Sequence, residues 1–537
     1  MTAPAAPAAA PRNATPTDGP RAPRAWTDAA WVVPTVAAAI VLLVALLSIT
    51  PDPIGVFWDD GVYLLSAKAL ASGAGYRYTY LPGAPPAIHY PPGFPLLLAA
   101  LLKVTPAFPA NVALLKLLNP LLLAAGVFAL VRWLAPELEM RAMSAAIATA
   151  LCSLIAPVMV LTNVLLSESF FFAVLVVALW LCERAARLGG ARRAAAAGVV
   201  IAMLALVRTV GGVLLPAAVL AFAWRRRWRE AAVLAACAVV ALAPWQLWVW
   251  QAARGFPDEL RGSYGPYLEW VIGGYRRDPS LARDVLVKNA ADLWRAFGFV
   301  FAPRLPRAVQ VLASTTALLV CVAGLVSLAR RALTFVLFVV AYAAVVLLWP
   351  YNPERFVWAV WPLAGVVLLA GTHAAGVWLR PRWNYAPRAA LIVLGVLFAG
   401  EGAYAVRGVV SGWGGAPQQV MTRRLWPLVQ WSVTHAGPDD VIASDAHVMI
   451  ALYTGRSAVP VSVLTPAEHV RDKAPAQFAA EMAALDARYH PRLLVLSRGT
   501  PENDAVPIFA TMPSSPVLTP LAGVPGGGSA YALRPRQ

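Results

Sequence analysis

Residues 57–76 read FWDDGVYLLSAKALASGAGY and place two acids, Asp59 and Asp60, just beyond the first long apolar run of the chain. A carboxylate is costly in hydrocarbon, so a pair at the end of a membrane helix must face water, a partner or a substrate. This stretch therefore predicts a chemically active site at the mouth of a membrane helix.

The composition of the rest of the chain supports a membrane setting. Of 537 residues, 59% are hydrophobic and only 13% are charged, and the mean hydropathy is +0.64. Apolar runs such as 29–49, 111–133 and 356–378 reach the roughly 20 residues that a helix needs to cross a bilayer. The sequence predicts a polytopic α-helical membrane protein with about eleven transmembrane helices.

The net charge of +17 comes from arginines in short segments between the apolar runs. The clusters are Arg184, Arg187, Arg192 and Arg193; Arg225, Arg226, Arg227 and Arg229; Arg330 and Arg331; and Arg380, Arg382 and Arg388. This spacing is the positive-inside pattern that fixes membrane topology. It indicates anionic membrane lipids as the counter-charge and argues against nucleic acid as a partner.

Threading the chain with these clusters inside divides it into three parts. Residues 1–28 are predicted to be a disordered cytoplasmic tail, and residues 29–410 a transmembrane domain with external loops 51–110 and 251–309. Within the first loop, 62–71 and 94–104 are predicted as short helices at the membrane interface. Residues 411–537 are predicted to form a small external α/β domain, with strands at 441–445, 458–463 and 492–497 and a helix at 476–489.

The topology brings polar residues from separate external segments to one membrane face. They are Asp59, Asp60, His89, Glu168, Arg208 and Arg355. Carboxylates beside guanidinium groups suit a reaction in which a hydroxyl attacks and a phosphate departs, since a carboxylate can take the proton and a guanidinium can stabilise the anion. Tyr264 and Tyr267, in the second external loop, are predicted to line the acceptor cleft.

The order of these features resembles the GT-C superfamily of membrane glycosyltransferases, in particular the family 39 protein mannosyltransferases and the lipid A aminoarabinose transferases. In those families an acidic pair is followed three residues later by Tyr, as Tyr63 follows here. HYPPGFPLLLA (residues 89–99), Glu168 in the next external loop, LVRTVGG and YNPERF also resemble recurrent elements of these proteins. One departure is Tyr90, which stands where transferases acting on lipid A commonly have Lys.

The resemblance implies transfer of a sugar from a polyprenyl-monophosphate donor to a cell-envelope glycan, lipid or protein, with inversion. The site would lie on the external face of a bacterial cytoplasmic (inner) membrane, and no cofactor is expected. Asp59 would be the general base, with Asp60 and Glu168 orienting the acceptor or the base. Arg208, Arg355 and His89 would bind the donor phosphate, and Tyr63, Tyr90, Tyr264 and Tyr267 would bind substrate.

Each assignment has a structural alternative. Asp60 could cap the helix that follows it, Glu168 could be a solvated interfacial residue, and the two arginines could reach lipid headgroups. His89 could be a loop residue, and the tyrosines of the second loop could be interfacial anchors. The carboxylates could also hold a divalent cation, and the whole chain could be a transporter or flippase of lipid-linked substrates, or a non-catalytic scaffold.

Overall fold

The computed structural model describes residues 29–412, 416–521 and 523–535. The tail predicted at 1–28 lies outside these residues. The described chain consists of a large helical part and a smaller C-terminal unit, residues 416–521 and 523–535, which combines helices with one β-sheet. The predicted fold class, a polytopic helical protein with a small C-terminal α/β unit, is confirmed.

The described helical part, whose longest connections are the loops 48–58 and 72–92, contains nineteen α-helices. They are α1 (Ala29–Leu47), α2 (Asp59–Ala71), α3 (Gly93–Val104), α4 (Val112–Lys116), α5 (Leu118–Ala129), α6 (Ala135–Glu137), α7 (Ala142–Ser153), α8 (Ala156–Asn163), α9 (Glu168–Leu188), α10 (Ala191–Val207), α11 (Leu214–Trp224), α12 (Trp228–Ala253), α13 (Arg261–Tyr264), α14 (Tyr267–Arg277), α15 (Ser280–Phe301), α16 (Arg307–Ala329), α17 (Leu333–Leu347), α18 (Pro353–Leu379) and α19 (Ala386–Val410).

Seven helical segments of the described chain are long and apolar enough to cross a membrane. They are Ala30–Leu47, Val112–Glu137, Glu168–Leu188, Trp228–Ala253, Arg307–Ala329, Pro353–Leu379 and Ala386–Val410. Helices α7 and α8 together make an eighth candidate that bends by 66°, and three shorter apolar helices accompany them. The chain is thus a multi-pass membrane protein, but the predicted count of eleven spans is not confirmed.

Small residues allow the membrane helices to pack closely. A Cβ atom added to Gly371 of α18 would lie 1.8 Å from the carbonyl oxygen of Val320 in α16, and one added to Gly324 would lie 2.1 Å from that of Val367. Because hydrocarbon supplies no hydrophobic force between helices, such close backbone contact is a main source of their association. Helices α16 and α18 therefore pack backbone against backbone.

Arginines that were predicted to lie inside are gathered at one end of the helical part. At this end Arg187 forms an ion pair of 2.9 Å with Glu137, and Arg227 donates a hydrogen bond to the Arg187 carbonyl at 3.0 Å. At the other end of α9 lies Glu168, about 28 Å away at the rise of an α-helix. The predicted inside clusters therefore meet at the end opposite Glu168.

The C-terminal unit is built around a five-stranded sheet in the order β2-β1-β3-β5-β4. Its strands are β1 (Val441–Ser444), β2 (Ser457–Val459), β3 (Leu493–Leu496), β4 (Val517–Leu521) and β5 (Ser529–Arg534). Its helices are α20 (Pro417–His435), α21 (His447–Thr454), α22 (Pro475–Tyr489) and α23 (Pro501–Thr511). The first three strands are parallel, whereas β5 runs antiparallel to β3 and β4.

The C-terminal unit shares one hydrophobic core with the loop after α1. Ile54 and Val56 from this loop are buried in the same cluster as Ile450 and Leu452 of α21. The backbone of the first loop also pairs with the unit, since the amide of Ala458 donates to the carbonyl of Tyr80 at 3.0 Å. The sheet unit is therefore packed onto the segment that carries the acidic pair.

Candidate active site

A cavity of about 1150 Å³ lies between the helical part and the C-terminal unit. Trp58 and Asp59 contribute to its wall from the start of α2, Arg208 from the end of α10 and Arg355 from the first turn of α18. Its size exceeds the several hundred Å³ of an ordinary small-molecule pocket. The cavity is therefore large enough to hold more than one small molecule.

Four ionised side chains form a continuous chain at this cavity. Arg355 donates from Nη1 to Asp59 Oδ2 at 2.5 Å and from Nε to Glu168 Oε1 at 2.5 Å. Arg208 Nη1 pairs with the same Glu168 oxygen at 2.6 Å. The two negative charges of the carboxylates are thus balanced by the two positive charges of the guanidinium groups.

Burial differs along this chain of charges. The side chain of Glu168 is only 3% exposed, whereas those of Asp59 and Arg355 are 20% and 19% exposed. Glu168 therefore binds both guanidinium groups on the side away from the cavity, while Asp59 and Arg355 face the cavity. Among the described residues, Arg355 Nη2 and Glu168 Oε2 are buried without a hydrogen-bond partner, which leaves Arg355 with an unused donor.

Tyrosine hydroxyls complete the surroundings of these charges. Tyr90 donates a short hydrogen bond to Asp59 Oδ1, so both oxygens of Asp59 are engaged. The hydroxyl of Tyr63 lies 3.3 Å from Ser167 Oγ, and Arg208 Nη1 donates to the same Ser167 oxygen at 3.3 Å. The hydroxyl of Ser167 thus connects Tyr63 with the charged cluster.

The chain matches no family model and no curated protein by sequence. By structure it is similar to ArnT from Cupriavidus metallidurans in the apo state, at 15% identity and a TM-score of 0.50, over 95% of this chain and 99% of that one. The same ArnT bound to undecaprenyl phosphate matches at 16% identity and a TM-score of 0.48, over 95% of this chain and 100% of that one.

The Archaeoglobus fulgidus oligosaccharyltransferase in complex with zinc and sulfate also matches, at 16% identity and a TM-score of 0.53, over 93% of this chain and 73% of that one. ArnT and this oligosaccharyltransferase are both GT-C glycosyltransferases. The chain has the GT-C fold. At such identities the likeness establishes the architecture, so the chemistry has to be argued from the side chains placed on it.

The side chain of Asp60 points away from the cavity that Asp59 faces. Its carboxylate accepts hydrogen bonds from the backbone amides of Gly55 at 2.6 Å and Phe57 at 2.9 Å, and its side chain is fully buried outside the cavity wall. Burial raises the pKa of Asp60 to about 6. Asp60 lies in the first turn of α2, and its two closest partners are amides of the preceding loop.

His89 lies in the cavity wall, but its ring is already engaged. Nδ1 lies 2.7 Å from the carbonyl oxygen of Gly265, and the ring packs on Tyr267 with centroids 4.0 Å apart. Burial lowers the pKa of His89 to about 4. The imidazole is therefore neutral near pH 7 and offers no positive charge to a phosphate.

The predicted substrate-binding tyrosines separate into two groups. Tyr63, Tyr90 and Tyr267 belong to the cavity wall. Tyr264 is fully buried behind it, with its hydroxyl 2.7 Å from His447 Nε2. The structure thus brings three of the four tyrosines to the cavity, and Tyr264 instead connects α13 to the C-terminal unit.

Several charged wall residues were not expected from the sequence. They are Lys288, Asp292, Arg304, Glu354, Arg407, Asp445, Glu468, His469 and Glu502. Lys288 and Asp292 form an ion pair of 2.6 Å on α15. Glu354 lies within YNPERF, where only Arg355 was singled out. The others lie on α15, in the turn after it, near the end of α19 or in the C-terminal unit, where no motif marks them.

The described residues contain no group of three or more His, Cys, Asp or Glu side chains placed to hold a metal ion. Asp59 and Glu168, which were considered as cation ligands, bind guanidinium groups instead. Their negative charge is already balanced within the protein. This arrangement favours chemistry that uses the arginines as the positive centre.

Proposed function

We propose that this protein is a glycosyltransferase that moves a sugar from a polyprenyl-monophosphate donor to a hydroxyl group of a cell-envelope acceptor. The observation that carries the proposal is the chain of contacts from Asp59 through Arg355 to Glu168 and Arg208 at the wall of a large cavity. It supplies a carboxylate for proton transfer directly beside a guanidinium for an anion, as glycosyl transfer from a phosphate requires.

The donor phosphate would bind at Arg355. Its Nη2 group is buried and unpartnered among the described residues, and Arg208 adds a second positive charge from the same wall. An arriving phosphate competes with Asp59 for Arg355, because both are anions that bind the same planar fork. Donor binding thereby loosens the Asp59–Arg355 pair and leaves Asp59 available to a hydroxyl group.

The reaction is then a single displacement. The acceptor oxygen forms a bond to the anomeric carbon while the bond from that carbon to the phosphate oxygen breaks. Asp59 takes the proton of the hydroxyl group, and the polyprenyl phosphate leaves with one additional negative charge, which the guanidinium groups stabilise. Attack opposite the leaving group inverts the anomeric carbon, and Asp59 afterwards releases its proton to water.

The composition of the cavity wall supports a lipid-linked donor. Apolar side chains of the cavity wall come from α8 and α15, among them Val160, Leu161 and Phe299. Both helices adjoin α19, one of the candidate membrane spans. A donor with a prenyl chain and a charged head matches a wall that combines apolar side chains with charged ones.

We place the site on the external face of the bacterial cytoplasmic membrane. This placement rests on the arginine clusters, which lie at the end of the helices opposite Glu168 and which mark the cytoplasmic side in multi-pass proteins. In this orientation the C-terminal unit is extracytoplasmic and covers the cavity from outside. The acceptor, a glycan, lipid or protein of the envelope, would approach from that side.

Mass spectrometry of envelope glycans in a deletion strain tests the proposal. Wild-type protein restores a sugar that the deletion strain lacks, whereas Asp59→Asn and Glu168→Gln proteins, present at wild-type level in the membrane, do not. Restoration by Asp59→Asn would contradict a catalytic role. A transporter or flippase would instead change which side of the membrane the donor occupies, and Asp59→Asn would leave the glycan intact.

A further inference from the structure

The residue before Asp59 has an unusual backbone. Trp58 adopts φ 64° and ψ −65°, and the amide of Asp59 donates to the carbonyl of Phe57 at 2.6 Å. A hydrogen bond between residues i and i+2 around a positive φ is the rare, strained form of the γ-turn. Such a conformation in a tryptophan persists only when its surroundings hold it.

This turn determines where the acidic pair points. Helix α2 begins at Asp59, immediately after the turn. Asp59 faces the cavity and Arg355, while Asp60 faces back into the loop and accepts from the amides of Gly55 and Phe57. Relaxation of Trp58 to negative φ would rotate the start of α2 and move the Asp59 carboxylate away from its partners.

Two rings from distant parts of the chain hold Trp58. The ring of His447 in α21 packs edge-on against it with centroids 4.5 Å apart, and Tyr264 packs at 5.5 Å. His447 is fully buried, and burial lowers the pKa of its ring to about 3. The ring is therefore neutral at physiological pH.

The hydrogen bonds of His447 define its tautomer. Nδ1 lies 3.2 Å from the Ser444 carbonyl oxygen, which can only accept, so Nδ1 carries the proton. Nε2 consequently accepts from the Tyr264 hydroxyl at 2.7 Å, and that hydroxyl accepts from Tyr80 at 3.1 Å. His447 is thus fixed in orientation on both sides of its ring.

Other residues of α21 contact the loop 54–61, which contains Trp58 and Asp59. The Tyr453 hydroxyl accepts a hydrogen bond from the amide of Ile54 at 3.0 Å. A Cβ atom added to Gly61 would lie 2.5 Å from Cγ1 of Val448, and one added to Gly55 would lie 3.2 Å from Leu452 Cδ2. Four positions of one short helix therefore contact the segment on either side of the turn.

We propose that α21 of the C-terminal unit is a clamp on the loop 54–61, and that His447 is the positioning residue that keeps Trp58 in its strained turn and Asp59 aimed at Arg355. The C-terminal unit would then be required for the reaction without touching the reacting atoms. The consequence for catalysis rests on the proposed role of Asp59, but the order of the loop can be measured without it.

Hydrogen exchange of peptides that begin before residue 53 and span residues 54–61, followed by mass spectrometry on the full-length protein in detergent, tests the clamp. His447→Ala is expected to speed exchange of the Asp59 amide, which closes the turn, and of the Gly55 and Phe57 amides. His447→Phe, which keeps a ring against Trp58, should restore much of the protection. His435→Ala is a matched control, because that histidine stacks on Trp431 within the same unit and should leave these peptides unchanged.

The kinetics of sugar transfer by His447→Ala give a second test of the clamp. His447→Ala should lower kcat by roughly 100-fold, the loss that a displacement of about 1 Å can cause, with a much smaller change in the KM for donor, because Arg208 and Arg355 remain. Unchanged exchange at 54–61 together with wild-type kcat would overturn the proposal. If Asp59→Asn retained transfer, the proposed function would fail while the exchange data still decided whether the clamp exists.

Tyr453→Phe is a milder variant that tests the clamp even if the His447→Ala protein does not fold. Tyr453→Phe removes only the hydroxyl that binds the Ile54 amide. Faster exchange confined to the start of the segment 54–61 would support the clamp. Wild-type exchange at Ile54 in this variant would contradict it.

Discussion

Arg355 connects the two carboxylates of the site through two different nitrogens. Nη1 contacts Asp59 and Nε contacts Glu168, while Nη2 remains without a partner among the described residues. Only a guanidinium group offers three donors in one plane. Arg208, by contrast, makes a single ion pair with Glu168 through Nη1.

This difference predicts unequal effects of lysine at the two positions. Arg355→Lys replaces the fork by a point charge that cannot hold Glu168 through one nitrogen and a phosphate through the others. A lost hydrogen bond to a charged group costs about 1.5–3 kcal/mol, so kcat/KM for the donor should fall by roughly 10- to 100-fold.

Arg208→Lys is the matched comparison, because an ammonium group can retain one ion pair with Glu168. Steady-state kinetics of both purified variants, with thermal unfolding as a check of folding, measure the contrast. Equal losses in the two variants would show that the fork geometry of Arg355 is unimportant.

At the scale of helices, α16 and α18 are held together where their backbones touch at Gly324 and Gly371. Gly371→Ala places a methyl group where the Val320 carbonyl oxygen now lies, so the helices must separate. We expect a destabilisation of about 1–3 kcal/mol, the usual cost of overpacking, seen as a lower thermal unfolding midpoint in detergent.

Gly395→Ala in α19 is the control for this prediction, since a Cβ atom there meets nothing within 4 Å. Alanine favours a helix over glycine by up to about 1 kcal/mol. The control should therefore be neutral or slightly stabilising. An equal loss in both variants would mean that close contact of α16 and α18 does not matter.

Elements with a strong periodic or apolar signal were predictable from the sequence. The parallel strands β1 and β3 are buried, and buried parallel strands read as continuous apolar runs, as 441–445 and 492–497 do. Strands β4 and β5 were missed because β4 is mostly exposed and contains Pro520, which is uncommon within a sheet. Their pairing depends on β3 being in place, which no local pattern reveals.

At the scale of the whole molecule, the membrane topology explains which site residues could be predicted from the sequence and which could not. Asp59, Glu168, Arg208 and Arg355 were expected at one face because the positive-inside rule places all their segments there, and the structure joins them. His447 and Glu502 reach the cavity only because the C-terminal unit packs over it. That docking depends on shape complementarity between distant segments, which one sequence does not display.

The proposed orientation in the membrane predicts which residues a thiol reagent can reach from outside the cell. With the four cysteines replaced, Asp472→Cys on the C-terminal unit should react with a membrane-impermeant thiol reagent added to spheroplasts. Arg229→Cys, in the first turn of α12 and next to the arginine-rich segment 225–227, should react only after permeabilisation. Both residues are exposed, so access depends on the membrane alone, and the reverse labelling pattern would invert the proposed topology.

The central claim is that Asp59 takes the proton of the acceptor in a transfer that releases polyprenyl phosphate. The most direct measurement follows the conversion of polyprenyl-phosphate sugars, extracted from wild-type membranes, by purified protein in liposomes that contain envelope extract of the deletion strain. We predict that Asp59→Asn converts the donor at least about 100-fold more slowly, the lower bound for a lost general base. Asp52→Asn in the same loop should match the wild type, whereas conversion by a folded Asp59→Asn protein at the wild-type rate would contradict the account.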